Sequence, residues 1–138
     1  MPQEYQFKKA SKVYERCAEI CVEKNINKGS LRDYFYNALL CQFVVSARKG
    51  SLKNMESMYQ RFMEIDRKFK GTWQQTLIQN CMAAFQDGDP NALAQAVYDQ
   101  NQRHKLDDLS TKILLEVKNI LKNPPKNEEA EEIGAQLQ

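Results

Sequence analysis

The feature that most constrains this chain is the stretch of residues 31–45, LRDYFYNALLCQFVV, because its apolar side chains form two adjacent stripes at helical spacing. The stripes contain Tyr34, Ala38, Cys41 and Val45 on one flank and Phe35, Leu39, Phe43 and Ala47 on the other. A helix with two apolar flanks needs a packing partner on each side. The stretch therefore predicts an inner member of a helical stack.

Helical patterns continue on both sides of this stretch, and no convincing strand alternation occurs. Consecutive helices joined by short turns pack as antiparallel pairs. We therefore predict an all-α chain in which three pairs stack as a right-handed array of the tetratricopeptide type, although the strict 34-residue repeat signature is absent. The predicted helices are Glu4 to Lys24, the central stretch, one after Ser51, Trp73 to Gln86, one ending near His104, and one starting near Asp107 or Asp108.

Capping and turn residues indicate the expected helix ends. Ser30 is expected to cap the central helix, Gly50 to end it in a left-handed conformation, and Ser51 to cap the third helix. In the run DGDPN, Gly88 is expected to close the fourth helix and Asp89 to cap the fifth. The third helix is expected to bury an apolar face consisting of Met55, Met58, Tyr59, Phe62, Ile65 and Phe69.

Length and charge limit the class of protein. The 138 residues, 42% of them apolar, suffice for one domain with a real core, which we place at residues 1–122. Residues 123–138 carry two prolines and four glutamates and predict a flexible acidic tail. No apolar run approaches the roughly 20 residues of a membrane span, and no signal peptide is evident, so a cytoplasmic location is expected.

The four cysteines favour a packing role over metal binding. Cys17, Cys21, Cys41 and Cys81 all lie in apolar helical patterns without a CxxC spacing. Cys17 and Cys21 are one turn apart, but His104 is the only histidine, and nothing completes a ligand set. We expect buried free thiols, no metal and no cofactor.

Catalytic motifs are missing from the sequence. It contains no GxGxxG, GxxxxGK[ST], HExxH or GxSxG. His104 lies in the polar run NQRHK and is interpreted as a solvated helix end, while Asp107 and Asp108 are explained by helix capping. A net charge of +2 and the lack of an RNA-binding motif argue against nucleic acid. The residues alone thus indicate a non-enzymatic binding scaffold with no small-molecule substrate.

Four segments in the same order resemble the soluble NSF attachment protein (SNAP) family. RDYFYNALLCQF is similar to the family's basic-Asp-Tyr-Phe helix, and KKASKVYERCAEI to the helix before it. MYQRFMEIDRKF and KLDDLSTKILLEVKNIL are similar to two later helices. The resemblance covers nearly the whole chain, but only the C-terminal part of an alpha-class member about twice as long, which implies a fragment.

The resemblance implies an adaptor that binds SNARE complexes (syntaxin-type bundles) and presents them to the hexameric ATPase NSF, with peripheral membrane association through the SNAREs. Arg32, at the exposed start of its helix, and Lys28 match basic SNARE-facing positions, with ordinary helix-end solubility as the alternative. Leu137 matches a leucine that stimulates NSF, and Asp87 and Asp89 are the expected NSF-binding acids. A generic tetratricopeptide-like scaffold that binds peptides remains the alternative function.

The acidic match with the family is incomplete. Where the family has three glutamates, this chain has Ala83, Gln86 and Asp87, which leaves one acid of three. We expect Asp107 and Asp108 to add to the charge of the Asp87 region.

Overall fold

Six α-helices and one 3₁₀ turn make up the computed structural model, which describes the backbone of residues 2–124 and the side chains of residues 6–27 and 29–124. Every regular element in this range is helical, so the predicted all-α class is confirmed. The expected acidic tail lies outside the described residues from residue 125 onwards. The elements are α1 (Pro2–Lys24), α2 (Lys28–Lys49), α3 (Lys53–Ile65), the 3₁₀ turn (Arg67–Phe69), α4 (Trp73–Gln86), α5 (Pro90–Arg103) and α6 (Asp108–Lys122).

Helix α2 is the centre of the core. It packs against α1, α3, α4 and α6, so that both predicted flanks have partners and its inner position is confirmed. Burial of each large apolar side chain contributes roughly 1.5–3 kcal/mol. The buried residues of α2 lie around its whole circumference, and they are Phe35, Tyr36, Ala38, Leu39, Leu40, Cys41, Phe43, Val44, Val45, Ser46 and Ala47.

The remaining helices form an array of neighbouring pairs. Helix α1 packs on α2, α4 on α5, and α5 on α6, each pair joined by a short link. Helix α3 is held to the core through α2, where the rings of Phe35 and Phe62 stack with their centroids 4.2 Å apart. The 3₁₀ turn then separates α3 from α4.

The predicted apolar face of α3 is wrong at its end. Ile65 is 43% exposed, whereas Phe69 is fully buried. The reason is that α3 ends at Ile65, and Asp66 leaves the helical conformation with φ −117° and ψ 87°. The change in chain direction turns the 3₁₀ turn inward, so that Phe69 reaches the core from outside the helix.

Two glycine turns and one aspartate cap follow the predictions. Gly50 has φ 74°, and its N–H donates to the Ala47 carbonyl at 3.0 Å, which closes α2. Gly88 is left-handed as well, with φ 67°. Asp89 accepts from the N–H of Ala92 at 3.0 Å and caps α5.

The prediction for Ser30 is wrong. Helix α2 begins at Lys28, two residues earlier, after Asn27 in a left-handed conformation with φ 50°, and no side-chain hydrogen bond caps this end. Ser51 does accept from the N–H of Lys53 at 3.3 Å, but Leu52 occupies the position directly before α3.

Candidate functional site

The predicted site residues within the described range fall at two opposite ends of the helix stack. Helices α4, α5 and α6 contact one another in turn and are joined by short links, so they run in alternating directions. The end that we call the Arg32 end contains the links at residues 25–27, 66–72 and 104–107. The Asp87 end contains the links at residues 50–52 and 87–89 and the last turn of α6.

Arg32 lies partly buried in an internal ion pair. Its Nε is 3.4 Å from Oδ2 of Asp66, which joins the start of α2 to the residue after α3. The Arg32 side chain is 32% exposed and that of Asp66 only 12%. Arg32 is therefore less exposed than expected for the start of the helix. The pair orients the guanidinium and leaves about a third of the side chain for contact with another molecule.

The second predicted basic residue, Lys28, is the first residue of α2, but its side chain lies outside the described residues. Sequence reasoning missed three exposed cations in the link that carries Asp66, namely Arg67, Lys68 and Lys70. The run RKFK was the available signal. These cations follow Asp66, the partner of Arg32, within four residues, and we group them with Arg32 as the basic patch.

The acidic residues of the Asp87 end have different local roles. Asp87 is exposed in the turn after α4, while Asp89 is exposed but already bonded to the start of α5. Gln86 at the end of α4 donates to the carboxylate of Glu56 from α3. Glu56 thus brings a negative charge to this surface from another helix. Lys53, Glu56 and Gln86 line one shallow concavity, and the positive charge of Lys53 partly offsets the negative charge of Glu56.

Asp107 and Asp108 do not join the Asp87 region, contrary to our expectation. They lie at the Arg32 end, and the 14 residues of α5 separate the two regions. A helix of that length spans about 21 Å. Asp107 accepts from the N–H of Ser110 at 2.8 Å and thereby caps α6. Helix α6 then returns the chain to the Asp87 end at Lys122, and Leu137 lies outside the described residues.

Reactive chemistry is not favoured in the described part of the chain. Cys21, Cys41 and Cys81 are buried free thiols as predicted, and Cys17 is half-buried. Burial raises the pKa of the Cys41 thiol to about 11 and that of Cys81 to about 12, which keeps both protonated at neutral pH. Among the described residues, no cluster of three or more histidine, cysteine or acidic side chains is arranged to hold a metal ion. None of the helices in residues 2–124 has the length and apolar content needed to cross a membrane.

Comparison with known proteins gives a family match over all six helices. The family model for soluble NSF attachment proteins (SNAP) matches residues 1–122. The vesicular-fusion protein SEC17 of Komagataella phaffii is 29% identical over 117 residues, which are 85% of this chain and 38% of that protein. SEC17 of Coprinopsis cinerea is 31% identical over 124 residues, which are 87% of this chain and 40% of that protein.

A mammalian relative extends the same likeness. The alpha-soluble NSF attachment protein of Mus musculus is 24% identical over 116 residues, which are 84% of this chain and 38% of that protein. The chain thus spans about two fifths of the length of the curated relatives that it matches. No solved structure gives a significant match to the chain.

Proposed function

Since this chain belongs to the soluble NSF attachment protein family, we propose that it is a non-enzymatic adaptor that binds SNARE complexes and brings them to the NSF ATPase in vesicle traffic. The observation that carries the proposal is the family match over residues 1–122. The names of the relatives, vesicular-fusion protein and NSF attachment protein, support the same role. The adaptor proposal includes a cytoplasmic location and peripheral membrane association through SNAREs. It also includes a helical domain at residues 1–122 and an acidic tail at residues 123–138.

The basic patch, together with Lys28, is the proposed SNARE-facing surface. SNARE bundles are acidic, and exposed cations both steer an acidic partner to its site and make binding sensitive to salt. Asp66 competes with the partner for Arg32, because a partner carboxylate must replace Asp66 or bind beside it to reach the Arg32 guanidinium. Arg32 is consequently preoriented by Asp66, while Arg67, Lys68 and Lys70 supply charge without an equivalent restraint.

A salt-dependent pull-down of SNARE complex with the full chain tests this surface. Arg32→Gln should weaken binding, whereas Asp66→Asn should strengthen it by releasing Arg32. Lys112→Gln, which removes an exposed cation from α6, is the matched control and should bind as the wild type does. If neither Arg32→Gln nor Asp66→Asn changes binding while helicity is retained, Arg32 is not part of the SNARE surface.

The Asp87 end is the proposed NSF-facing surface. It combines Asp87, Asp89 and Glu56, and α6 delivers the chain toward residue Leu137 from this same end. Leu137→Ala should lower the stimulation of NSF ATPase while SNARE binding persists. Leu115→Ala is a matched control, because Leu115 is a 54% exposed leucine within α6. Equal stimulation by wild type and Leu137→Ala would count against the role of Leu137.

A general peptide-binding scaffold is the second candidate, and one groove favours it. The groove between α3 and α4 has a volume of about 780 Å³ and is lined mainly by polar side chains, among them Gln60, Glu64 and Gln79. Such a surface suits a polar extended peptide. A peptide-array hit that is lost on Gln79→Ala, in a protein without affinity for SNARE bundles, would favour the scaffold over the adaptor.

A further inference from the structure

A second groove, between α1 and α3, has one basic half and one apolar half. The basic half has a volume of about 330 Å³, and its charged walls include Lys8, Lys12 and Lys49. Glu15 and Arg61 line both halves and form an ion pair across the groove. The pair therefore marks the boundary between the halves. Lys8 and Lys49 place the basic half toward the Asp87 end.

The apolar half continues toward the Arg32 end. It has a volume of about 200 Å³, and Phe35 and Phe62 line it between two exposed aliphatic side chains, Val22 at 45% and Ile65 at 43% exposure. Large apolar side chains left exposed next to one another mark a surface that gains from being covered. Glu19 and Glu23 stand on the α1 side of this half, and Arg16 pairs with both at 3.2 and 3.4 Å. The three side chains together carry one net negative charge, which disfavours an acidic occupant.

We propose that this groove binds residues 125–138 of the same chain, with the glutamates of residues 128–132 on the basic half and Ile133 in the apolar half. The glutamates in question are Glu128, Glu129, Glu131 and Glu132, and Ile133 follows them directly. Their charge is opposite to that of Lys8, Lys12 and Lys49. The net negative charge of the wall disfavours the reverse placement, in which all four glutamates would lie beside Glu19 and Glu23.

The order and length of the chain agree with this placement. Arg48 at the end of α2 contacts Glu116 of α6, with Nη2 and Oε1 2.7 Å apart. From Glu116, α6 continues to Lys122, about 9 Å further. The six residues from there to Glu128 span up to ~20 Å when extended, which is enough to pass the end of α2 and reach Lys49. The segment therefore reaches the basic half before the apolar half. Its glutamates precede Ile133 in the sequence, which matches this order.

Methyl NMR on the full chain, with labelled isoleucine and valine, tests the docking directly. We expect a nuclear Overhauser contact between the methyl groups of Ile133 and those of Ile65 or Val22. Ile133→Ser should abolish it and shift the Ile65 and Val22 signals, while Ala135→Ser, the neighbouring control, should not. The double variant Lys8→Glu and Lys12→Glu should also abolish it, whereas Lys112→Glu on α6 should leave it unchanged. Each of the five substituted residues is either an exposed lysine or lies near the end of the chain. Circular dichroism should therefore report the wild-type helicity for every variant.

Three outcomes would overturn the proposal. The first is the absence of any contact between Ile133 and the groove at low salt. The second is an unchanged Ile65 signal in Ile133→Ser. The third is a contact whose intensity rises with protein concentration, because that would assign the groove to a second copy of the chain. The docking is measured in the free chain without SNAREs or NSF, so its failure and that of the adaptor proposal are distinguishable. Action of Leu137 at the Asp87 end would require the segment to leave the groove, because Ile133 docks toward the Arg32 end.

Discussion

The two ends of the helix stack are closed in different ways. At the Asp87 end, the turns are closed by neighbours in sequence: Gly50 and Gly88 are left-handed, and Asp89 bonds three residues ahead. The contacts between distant residues at this end, Gln86 with Glu56 and Arg48 with Glu116, join exposed or partly exposed polar side chains. At the Arg32 end, residues far apart in sequence meet. The Tyr36 hydroxyl donates to the Ser110 hydroxyl at 2.8 Å, and the ring of Trp73 packs edge-on against that of Tyr36.

This difference teaches where the fold is cooperative. A turn closed by its own residues can be disturbed without moving another helix. The contacts of the Arg32 end join α2, α4 and α6, so a change there disturbs several helices at once. The comparison predicts larger losses of stability at the Arg32 end, and the following variants test it in order of expected effect.

The largest loss is expected for Phe69→Ala in the 3₁₀ turn. Phe69 is fully buried, and removal of a buried phenylalanine ring costs about 3–5 kcal/mol through lost burial and the cavity left behind. Urea unfolding measures the loss. Ile65→Ala is the matched control, since its half-exposed side chain should cost less than about 1.5 kcal/mol. Equal losses in the two variants would contradict the inward placement of the turn.

Tyr36→Phe should cost about 1–3 kcal/mol, because it leaves the buried Ser110 hydroxyl without the Tyr36 partner. Unfolding at neutral pH measures this loss. The double variant Tyr36→Phe with Ser110→Ala should recover part of it, since both polar groups are then removed. A double variant that is as unstable as the single one would argue against the hydrogen bond as the cause.

The same tyrosine predicts a dependence on alkaline pH. Burial raises the pKa of Tyr36 well above its ordinary value near 10. The unfolded chain therefore releases this proton at lower pH than the folded protein does, and stability falls as pH rises above about 10. Tyr36→Phe should show a smaller fall over that range. Identical slopes for wild type and variant would show that Tyr36 does not contribute.

At the Asp87 end, Asp89→Ala should cost about 1 kcal/mol through the loss of the α5 cap. Asp87→Ala, two residues earlier, removes an exposed carboxylate and should change stability by less than about 0.5 kcal/mol. Thermal unfolding of both variants measures the difference. A loss at Asp89 as large as that at Phe69 would remove the contrast between the two ends.

The smallest effect is expected from the Arg32–Asp66 pair. A double-mutant cycle with Arg32→Gln and Asp66→Asn should give a coupling energy of about 0.2–1 kcal/mol, since the arginine is partly solvated. High salt should reduce it. A coupling well above this range would mean that the pair is primarily structural, and would weaken its proposed role as a surface shared with a partner.

The contrast between the ends also explains which features could be predicted from the sequence. The bounds of α4, the left-handed Gly50 and Gly88 and the Asp89 cap were all correct, because each depends on residues within about four positions. The central role of α2 was correct because its apolar pattern is long. The prediction of Ser30 as a cap failed because the link between α1 and α2 closes through the left-handed residues Asn25 and Asn27. Helix α2 therefore begins before Ser30.

The parts of the candidate site that were missed depend on distant partners. Nothing local in the sequence shows that Asp66 pairs with Arg32, or that Glu56 lies beside Gln86 thirty residues later. Asp107 and Asp108 were wrongly added to the Asp87 region, although the predicted fifth helix already lay between them. The length of α5 places the two regions at opposite ends of the stack. The roles of Lys28 and Leu137 remain predictions.

The position of α2 also affects the order in which the chain can fold during synthesis. Helix α1 is available as soon as α2 is made, but α6, which covers another side of α2, ends 73 residues after Lys49. At a synthesis rate of about 5–20 residues per second, this interval lasts roughly 4–15 s. During that time one apolar side of α2 is open to other chains. Completion of α6 is therefore the step that ends the exposure of the nascent chain to aggregation.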